Sequence, residues 1–383
     1  FEANGIEAEV LPEPDEVSLQ WGRKYTSGKE CVPAVITAGD VIGLVKKPGF
    51  NPEKSAFFMP SGCGPCRFGQ YNRLHRLILD EIGYADVPIY SPNQDENFYK
   101  HLGVAGNKFV RMAWQGIVAI DVLEKRLRET RPYERNKGES DEVYQYYLKE
   151  IYEAIKNNQG LMPLMEEAAS RFDNIEIEKI KRPIIGIVGE IYLRSNRFAN
   201  ENIVRKIEAL GGEAWLPSMT ELFFYTNFTS MERSLKKKNY GSYLKLYLTN
   251  VVQRRDEHKL CRPFEDKLRN GGELTIKETL DFASPYLHKS FEGEAILSVG
   301  KAIDFYKNGV SGIVNVMPFT CMPGTIVGAI LKRFREEYNN IPCLNMAYDG
   351  QKDTNGTTRL EAFMHQTAYY MLERDAGNGH DKD

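Results

Sequence analysis

The sequence predicts an α/β protein built as two doubly wound parallel-sheet lobes joined by a helical connector. Three observations carry that expectation. A strand–loop–helix–strand unit occurs twice, once toward each end of the chain. Between the copies lies a charged stretch with helical spacing and few β signals. Each copy carries a cysteine-bearing loop directly after a strand, where open α/β sheets place their ligands.

In the first copy, Ala56-Phe57-Phe58-Met59 is a short apolar run that reads as a buried strand. The loop Pro60–Pro65 follows. Arg67–Ile82 then sets Leu74, Leu77, Ile78 and Ile82 at helical spacing, with Gly83 as the stop. Val87-Pro88-Ile89-Tyr90 resumes as a strand, and Phe109 to about Arg128 reads as a long helix. Residues 134–182 keep a helical stripe of Val143, Tyr146, Tyr147, Ile151 and Ile155. The strand Pro183–Gly189 opens the second lobe. A helix over about Asn200–Leu210 follows, stopped by Gly211-Gly212, and then the strand Glu213–Leu216. The second copy is the strand Gly312–Met317, the Cys321 loop, the helix Thr325–Tyr338 and the strand Cys343–Met346. An amphipathic tail over Thr358–Glu373 ends the pattern. The expected organisation is therefore an N-terminal lobe over 1–133, a connector over 134–182 and a C-terminal lobe over 183–383. Each lobe is expected to be of the Rossmann or flavodoxin-like type.

The chain has 383 residues, 42% hydrophobic and 27% charged, an ordinary globular balance with room for two or three domains. A net charge of −3 gives no general affinity for nucleic acid. The basic runs Lys236-Lys237-Lys238 and Arg254-Arg255 read as solvated helix faces. No stretch approaches the ~20 apolar residues of a membrane span, and no basic-then-apolar leader is present. A cytoplasmic setting is the expectation, and Phe1 in place of a starting Met is expected to mark a fragment boundary. In that setting six cysteines point to reduced thiols and to metal or redox chemistry rather than to disulfides.

The six fall into two sets, Cys31, Cys63 and Cys66, then Cys261, Cys321 and Cys343. Residues 59–65 and 317–323 share the frame Met-Pro-x-x-Cys-x-Pro. Lys29–Pro33 and Lys259–Pro263 share Lys-x-Cys-x-Pro. Cys63-Gly64-Pro65-Cys66 alone fits a thioredoxin-type dithiol or half of a zinc site. The dithiol leaves Cys31, Cys321 and Cys343 unexplained, and zinc normally takes a second close pair. Ordinary buried cysteines would not be expected in paired frames. Three thiolates per half suit a cubane iron–sulfur cluster with one iron left open. Cys66 and Cys321 precede expected helices, whose free N–H groups and positive dipole ends suit thiolate ligands. Pro65 and Pro323 stiffen the loops, and Gly62, Gly64 and Gly324 allow close backbone approach. Met59, Met317 and nearby aromatics read first as ordinary core and second as a shield against water.

At these residues the chain resembles a known family. The segments GKECVPAVITAGD, FFMPSGCGPCRFGQYNRLHR, PFTCMPGTIVGAILKRFREEYNNIPCLNMAYDGQ and TTRLEAFMHQ look like the double-cubane cluster proteins of the 2-hydroxyacyl-CoA dehydratase superfamily. The resemblance spans Cys31 to about Gln366. It implies two 4Fe-4S cubanes joined by a bridging sulfide into an 8Fe-9S cluster. Each cubane would take three of the six cysteines, and the cluster would lie between the two lobes. It further implies an ATP-hydrolysing activator with its own 4Fe-4S cluster, either a separate chain or fused ahead of this region. It also implies very low potentials and the reduction of small molecules such as acetylene. Two unbridged 4Fe-4S clusters satisfy the same ligand count.

Glu190 follows the strand 183–189 at its carboxyl end and is a candidate catalytic residue, with a solvated loop glutamate as the plainer reading. His75, Arg67, His365 and Gln366 read as surface or core rather than ligands. No Gly-x-x-x-x-Gly-Lys and no Gly-x-Gly-x-x-Gly occurs, so ATP hydrolysis is expected on a partner and not on this chain. The expected function is an ATP-activator-dependent iron–sulfur oxidoreductase component acting on a small molecule; a homodimer fits this reading. A 2-hydroxyacyl-CoA dehydratase subunit with one 4Fe-4S cluster and a non-catalytic electron relay within a larger activase are the alternatives.

Overall fold

The computed structural model describes the chain apart from residues 63, 65, 96, 97, 107, 270–272, 352–354 and 381–383, with the backbone alone at 104 and 377–380. Among the described residues, fifteen α-helices and two small parallel sheets make a mixed α/β protein. The strands are β1 (Phe57–Phe58), β2 (Ile89–Tyr90), β3 (Ile184–Gly189), β4 (Glu213–Trp215), β5 (Gly312–Pro318) and β6 (Cys343–Tyr348). Among the described residues no helix is long and apolar enough to cross a membrane.

Packing gathers the chain into two units that interleave along the sequence. One comprises Phe1–Ala8, Asp95–Ile185 and Gly211–Thr279; the other comprises Glu9–Gln94, Gly186–Leu210 and Leu280–Asp383. These units do not follow the expected boundaries at 133 and 182. The stretch 134–182 belongs wholly to the first unit, and the Cys31–Cys66 segment shares the second unit with Cys321 and Cys343. The physical reason is helix packing. The expected connector forms helices Glu139–Lys156 and Met162–Asp173, which pack on Phe109–Thr130 rather than spanning a gap.

The first unit is mainly helical. Trp114 on Phe109–Thr130 meets Phe223 and Phe224 of helix Thr220–Lys236 edge-on, with ring centroids 5.9 and 5.0 Å away. Its indole N–H donates to the Gln253 carbonyl of helix Tyr240–Cys261 at 3.0 Å. Aromatic burial and a satisfied indole thus lock three helices together.

In the second unit β1 and β2 pair in parallel, Phe57 against Ile89 and Phe58 against Tyr90, so the first sheet is a two-stranded ribbon. Helix Val32–Val45 is the central element of its core. Ala38 and Ile42 pack on Ile78, and Val41 and Val45 on Leu79, both on helix Tyr71–Glu81. Its other side approaches helix Glu16–Lys24 so closely that a Cβ on Gly39 would sit 1.7 Å from the Ser18 carbonyl oxygen. β5 lies between β3 and β6. It pairs parallel with β6 from Ile313–Cys343 to Pro318–Tyr348, and only Met317 of its residues is less than buried. Helices Met322–Glu337 and Gly356–His380 pack on these strands.

Candidate metal centre

Three cysteines of the second unit share one local geometry. Cys31, Cys66 and Cys321 have φ/ψ of −71/149°, −65/138° and −69/119°, the extended conformation of a residue that starts a helix. Cys31 precedes Val32–Val45. Cys66 precedes the 3-10 turn Arg67–Gln70, which runs into Tyr71–Glu81, and Cys321 precedes Met322–Glu337. Pro33 and Pro323 occupy first-turn positions, where a missing N–H costs nothing. Each thiol therefore stands at the positive end of a helix, which favours the thiolate form that binds metal.

The loops are fixed by named contacts. Tyr71 Oη lies 2.7 Å from Cys31 Sγ, and Met59, Phe68 and Leu74 pack against the cluster of Cys31, Ala34 and Tyr71. Arg67 Nη1 donates to the Lys29 carbonyl at 2.8 Å, tying the Cys66 loop to the Cys31 loop. The segment before Cys66 continues the β1–β2 ribbon. Ser61 N–H donates to Pro92 O at 3.0 Å, and Gln94 N–H to Ser61 O at 2.9 Å. At Cys321, the buried Asn315 amide donates to Gly324 O at 3.2 Å and to Asn345 Oδ1 at 2.9 Å, so the cross-strand pair Asn315–Asn345 anchors the helix start. Gly324 is required there, because a Cβ would lie 2.5 Å from Met317 Cβ.

Electrostatics place these groups in one neighbourhood. Cys66 reaches solvent. Even so, the protein packed around it pushes its thiol up to about 11; the Phe68 N–H opposes this, and Glu294, Glu190 and Cys31 add to it. Burial pushes Cys321 up to about 12, against the Gly324 N–H and with Glu190, Glu294 and Cys66 contributing. Cys66 is thus the common neighbour of Cys31 and Cys321. Burial, then Cys31, raises the Tyr71 phenol, so its proton stays on oxygen. Glu190 and Glu294 are both shifted upward, first by burial; Glu190 is the next cause for Glu294, with Arg194 pulling the other way on both. Their carboxylates hold successive amides of one turn. Glu190 accepts from Tyr192 N–H at 3.1 Å and Leu193 N–H at 2.9 Å, and Glu294 Oε1 from Ile191 N–H at 3.2 Å.

The grouping differs from the sequence pairing. Cys343 is not brought to Cys321. It opens β6 opposite Ile313, whereas Cys321 lies beyond Pro318, so the strand rise of ~3.3 Å per residue separates the positions by about 16 Å. Its Sγ lies 3.5 Å from the Ile341 carbonyl, and burial pushes its thiol up to about 12. Cys261 belongs to the first unit, as the last residue of helix Tyr240–Cys261. It lines a cavity of about 180 Å³ with Asp121, Lys125, Glu257 and Glu273, and burial, then Glu257, pushes its thiol up to about 12. Cys63 and Pro65 lie outside the described residues. His75 is buried, 3.2 Å from Thr37 Oγ1 and pushed down to about 4 by burial; His365 and Gln366 are exposed. Glu190 is no solvated loop residue: it caps the helix Ile191–Ser195. Sequence reasoning missed Tyr71 and Glu294. Tyr71 stands on the face of its helix turned to Cys31, a helical-period signal; Glu294 follows Gly293 with no motif around it.

Among the described residues, no three His, Cys, Asp or Glu side chains are set to hold a single metal ion. One zinc draws its thiolates to roughly 3.8 Å of each other, from Zn–S of ~2.3 Å, whereas a cubane attaches each thiolate to its own iron and takes a wider set. No protein-family model and no curated protein matches the chain.

Proposed function

We propose that this chain is an iron–sulfur redox protein whose cluster is held by Cys31, Cys66 and Cys321. In this reading it receives low-potential electrons from an ATP-hydrolysing 4Fe-4S activator and spends them on a small molecule. One observation carries the reading: three helix-starting cysteines of like conformation share one electrostatic neighbourhood. Soft thiolates select iron–sulfur clusters, zinc or Cu(I) over hard cations, and a cubane takes each thiolate on its own iron. A cubane bound there would supply a one-electron store. The chain's own residues do the rest. Helix N-termini offset the thiolate charge, Tyr71 donates to the Cys31 sulfur, and Met59 and Phe68 keep water from it. Burial raises both carboxyls of the Glu190–Glu294 pair, which favours a proton on the pair. In this reading the four-stranded parallel sheet is the core of a doubly wound lobe, with the Cys321 loop at the carboxyl end of β5.

The paired Lys-x-Cys-x-Pro and Met-Pro-x-x-Cys-x-Pro frames favour a second reading, the bridged 8Fe-9S double cubane on all six cysteines. The distance of Cys343 from Cys321 weighs against it. Anaerobic iron and acid-labile sulfide determination separates the two, with about four of each per chain expected for a single cubane. About eight irons with nine sulfides would move the assignment to the double cubane. Zinc, or no metal after anaerobic reconstitution, would overturn both.

A further inference from the structure

The first unit contains a second concave site with no part in the metal chemistry. A cavity of about 390 Å³ opens among helix Phe109–Thr130, the turn Gly160–Met162 and helix Tyr240–Cys261. Its charged lining is Arg111, Arg255, Lys259 and Asp256, two net positive charges. Asp256 is already spoken for. Arg111 grips it through Nε at 2.7 Å and Nη2 at 2.8 Å, and Gln115 Nε2 adds a bond at 3.0 Å. That bidentate clamp fixes Arg111 at the rim, where its side chain stays 62% exposed and Nη1 remains available. Arg255 and Lys259 stand one helical turn apart and are exposed. Neither has an ion-pair or hydrogen-bond partner among the described residues. Leu161 and Leu260 are buried at its base and Met162 is half-buried beside them.

We infer that this cavity binds a phosphate monoester with a compact apolar body. The charge excess matches a dianion. The guanidinium of Arg255 suits the planar oxygen edge of a phosphoryl group, and Lys259 supplies a mobile point charge. The volume exceeds what bare phosphate fills and falls in the range of small-ligand pockets, ~300–1,000 Å³. The leucine and methionine base takes up the remainder as apolar contact. The clamped Asp256 keeps Arg111 from folding across the opening, so the site is formed before the ligand arrives. This inference stands apart from the metal reading, because its residues lie in the unit without the three helix-starting cysteines.

The test is calorimetric titration of the whole chain with phenyl phosphate, inorganic phosphate and phenol. Phenyl phosphate is expected to bind saturably, at least about tenfold more tightly than inorganic phosphate, with phenol showing no binding. R255Q/K259Q is expected to weaken phenyl phosphate by about tenfold or more while leaving the far-ultraviolet spectrum and thermal midpoint unchanged. These two side chains are exposed and unpartnered, so the fold does not depend on them. No saturable heat with phenyl phosphate would overturn the inference. So would equal affinity for inorganic phosphate, or binding that survives the double substitution.

Discussion

Removing one hydroxyl group gives the sharpest test of the metal centre. Tyr71 Oη is 2.7 Å from Cys31 Sγ, its ring is 7% exposed, and burial keeps its proton on oxygen. When Cys31 is a thiolate ligand, only Tyr71 can be the donor in that contact. Y71F keeps the ring among Ala34, Met59, Phe68 and Leu74 and deletes only the donor. A hydrogen bond to a charged group contributes about 1.5–3 kcal/mol. Reduction adds negative charge to the sulfurs, so the bond strengthens in the reduced state; with a third to a half of its energy differing between states, the difference is about 0.5–1.5 kcal/mol. At 59 mV per ~1.4 kcal/mol for one electron, Y71F should lower the reduction potential by roughly 20–65 mV. The assay is an anaerobic spectroelectrochemical titration of the variant beside the parent, with iron content measured on both. A full iron complement with a potential unmoved beyond ~10 mV would refute the placement of Cys31 among the ligands.

Other consequences can be checked directly. C343S should leave iron content unchanged while C321S abolishes most of it, because β5 holds the two cysteines at opposite ends; equal losses would restore the sequence pairing. G324A should cost ~1–3 kcal/mol in thermal denaturation and lower iron loading, since its Cβ meets Met317 Sδ at 2.8 Å. Cys66 and Cys321, raised to about 11 and about 12, are protonated at neutral pH, so metal loading should release protons and tighten as pH rises, read by indicator dye during anaerobic titration. Glu294 is raised above its ordinary 4.5, so the stability it contributes is complete below that value and is lost as pH rises through its folded value. E294Q should therefore flatten the decline in denaturant midpoint between about pH 4.5 and about pH 8, and an unchanged slope there would remove Glu294 as its cause.

The local elements were legible because each rests on short-range physics. The β5–loop–helix–β6 segment follows from a mainly apolar run broken by Asn315, a Cys-x-Pro helix start and a second mainly apolar run broken by Asn345. The helix at Tyr71–Glu81 follows from its periodicity, and its end from Gly83, which adopts φ 89°. Helices Glu16–Lys24 and Val32–Val45 went unassigned. Val32–Val45 is apolar on nearly every side because it is buried on several faces, so it shows little amphipathic contrast. The membership of the site was harder to see. Repeated frames identified Cys321 and Cys261 as special but paired residues by order along the chain. The choice of partners depends on which segments pack together, which Lys-x-Cys-x-Pro does not encode. Cys343 shows the difficulty most plainly: five residues of register decide whether it meets a loop or the far edge of the sheet. Glu294 reaches Ile191 from about a hundred residues away, a contact no local spacing announces.

The interleaving of the two units also bears on biosynthesis. Cys31 and Cys66 leave the ribosome about 250 residues before Cys321. At ~5–20 residues per second, that is a delay of roughly 10–50 s. Throughout it, helix Val32–Val45 lacks Gly350 beyond β6, which lies against Val32 and Leu19 in the finished protein. The nascent N-terminal segment is thus an incomplete half of its own unit, with two thiols open to oxidants and stray metal. On the proposed iron–sulfur reading, cluster insertion would follow completion of the chain. Expression conditions that slow translation or admit oxygen should lower cluster occupancy without lowering the yield of polypeptide.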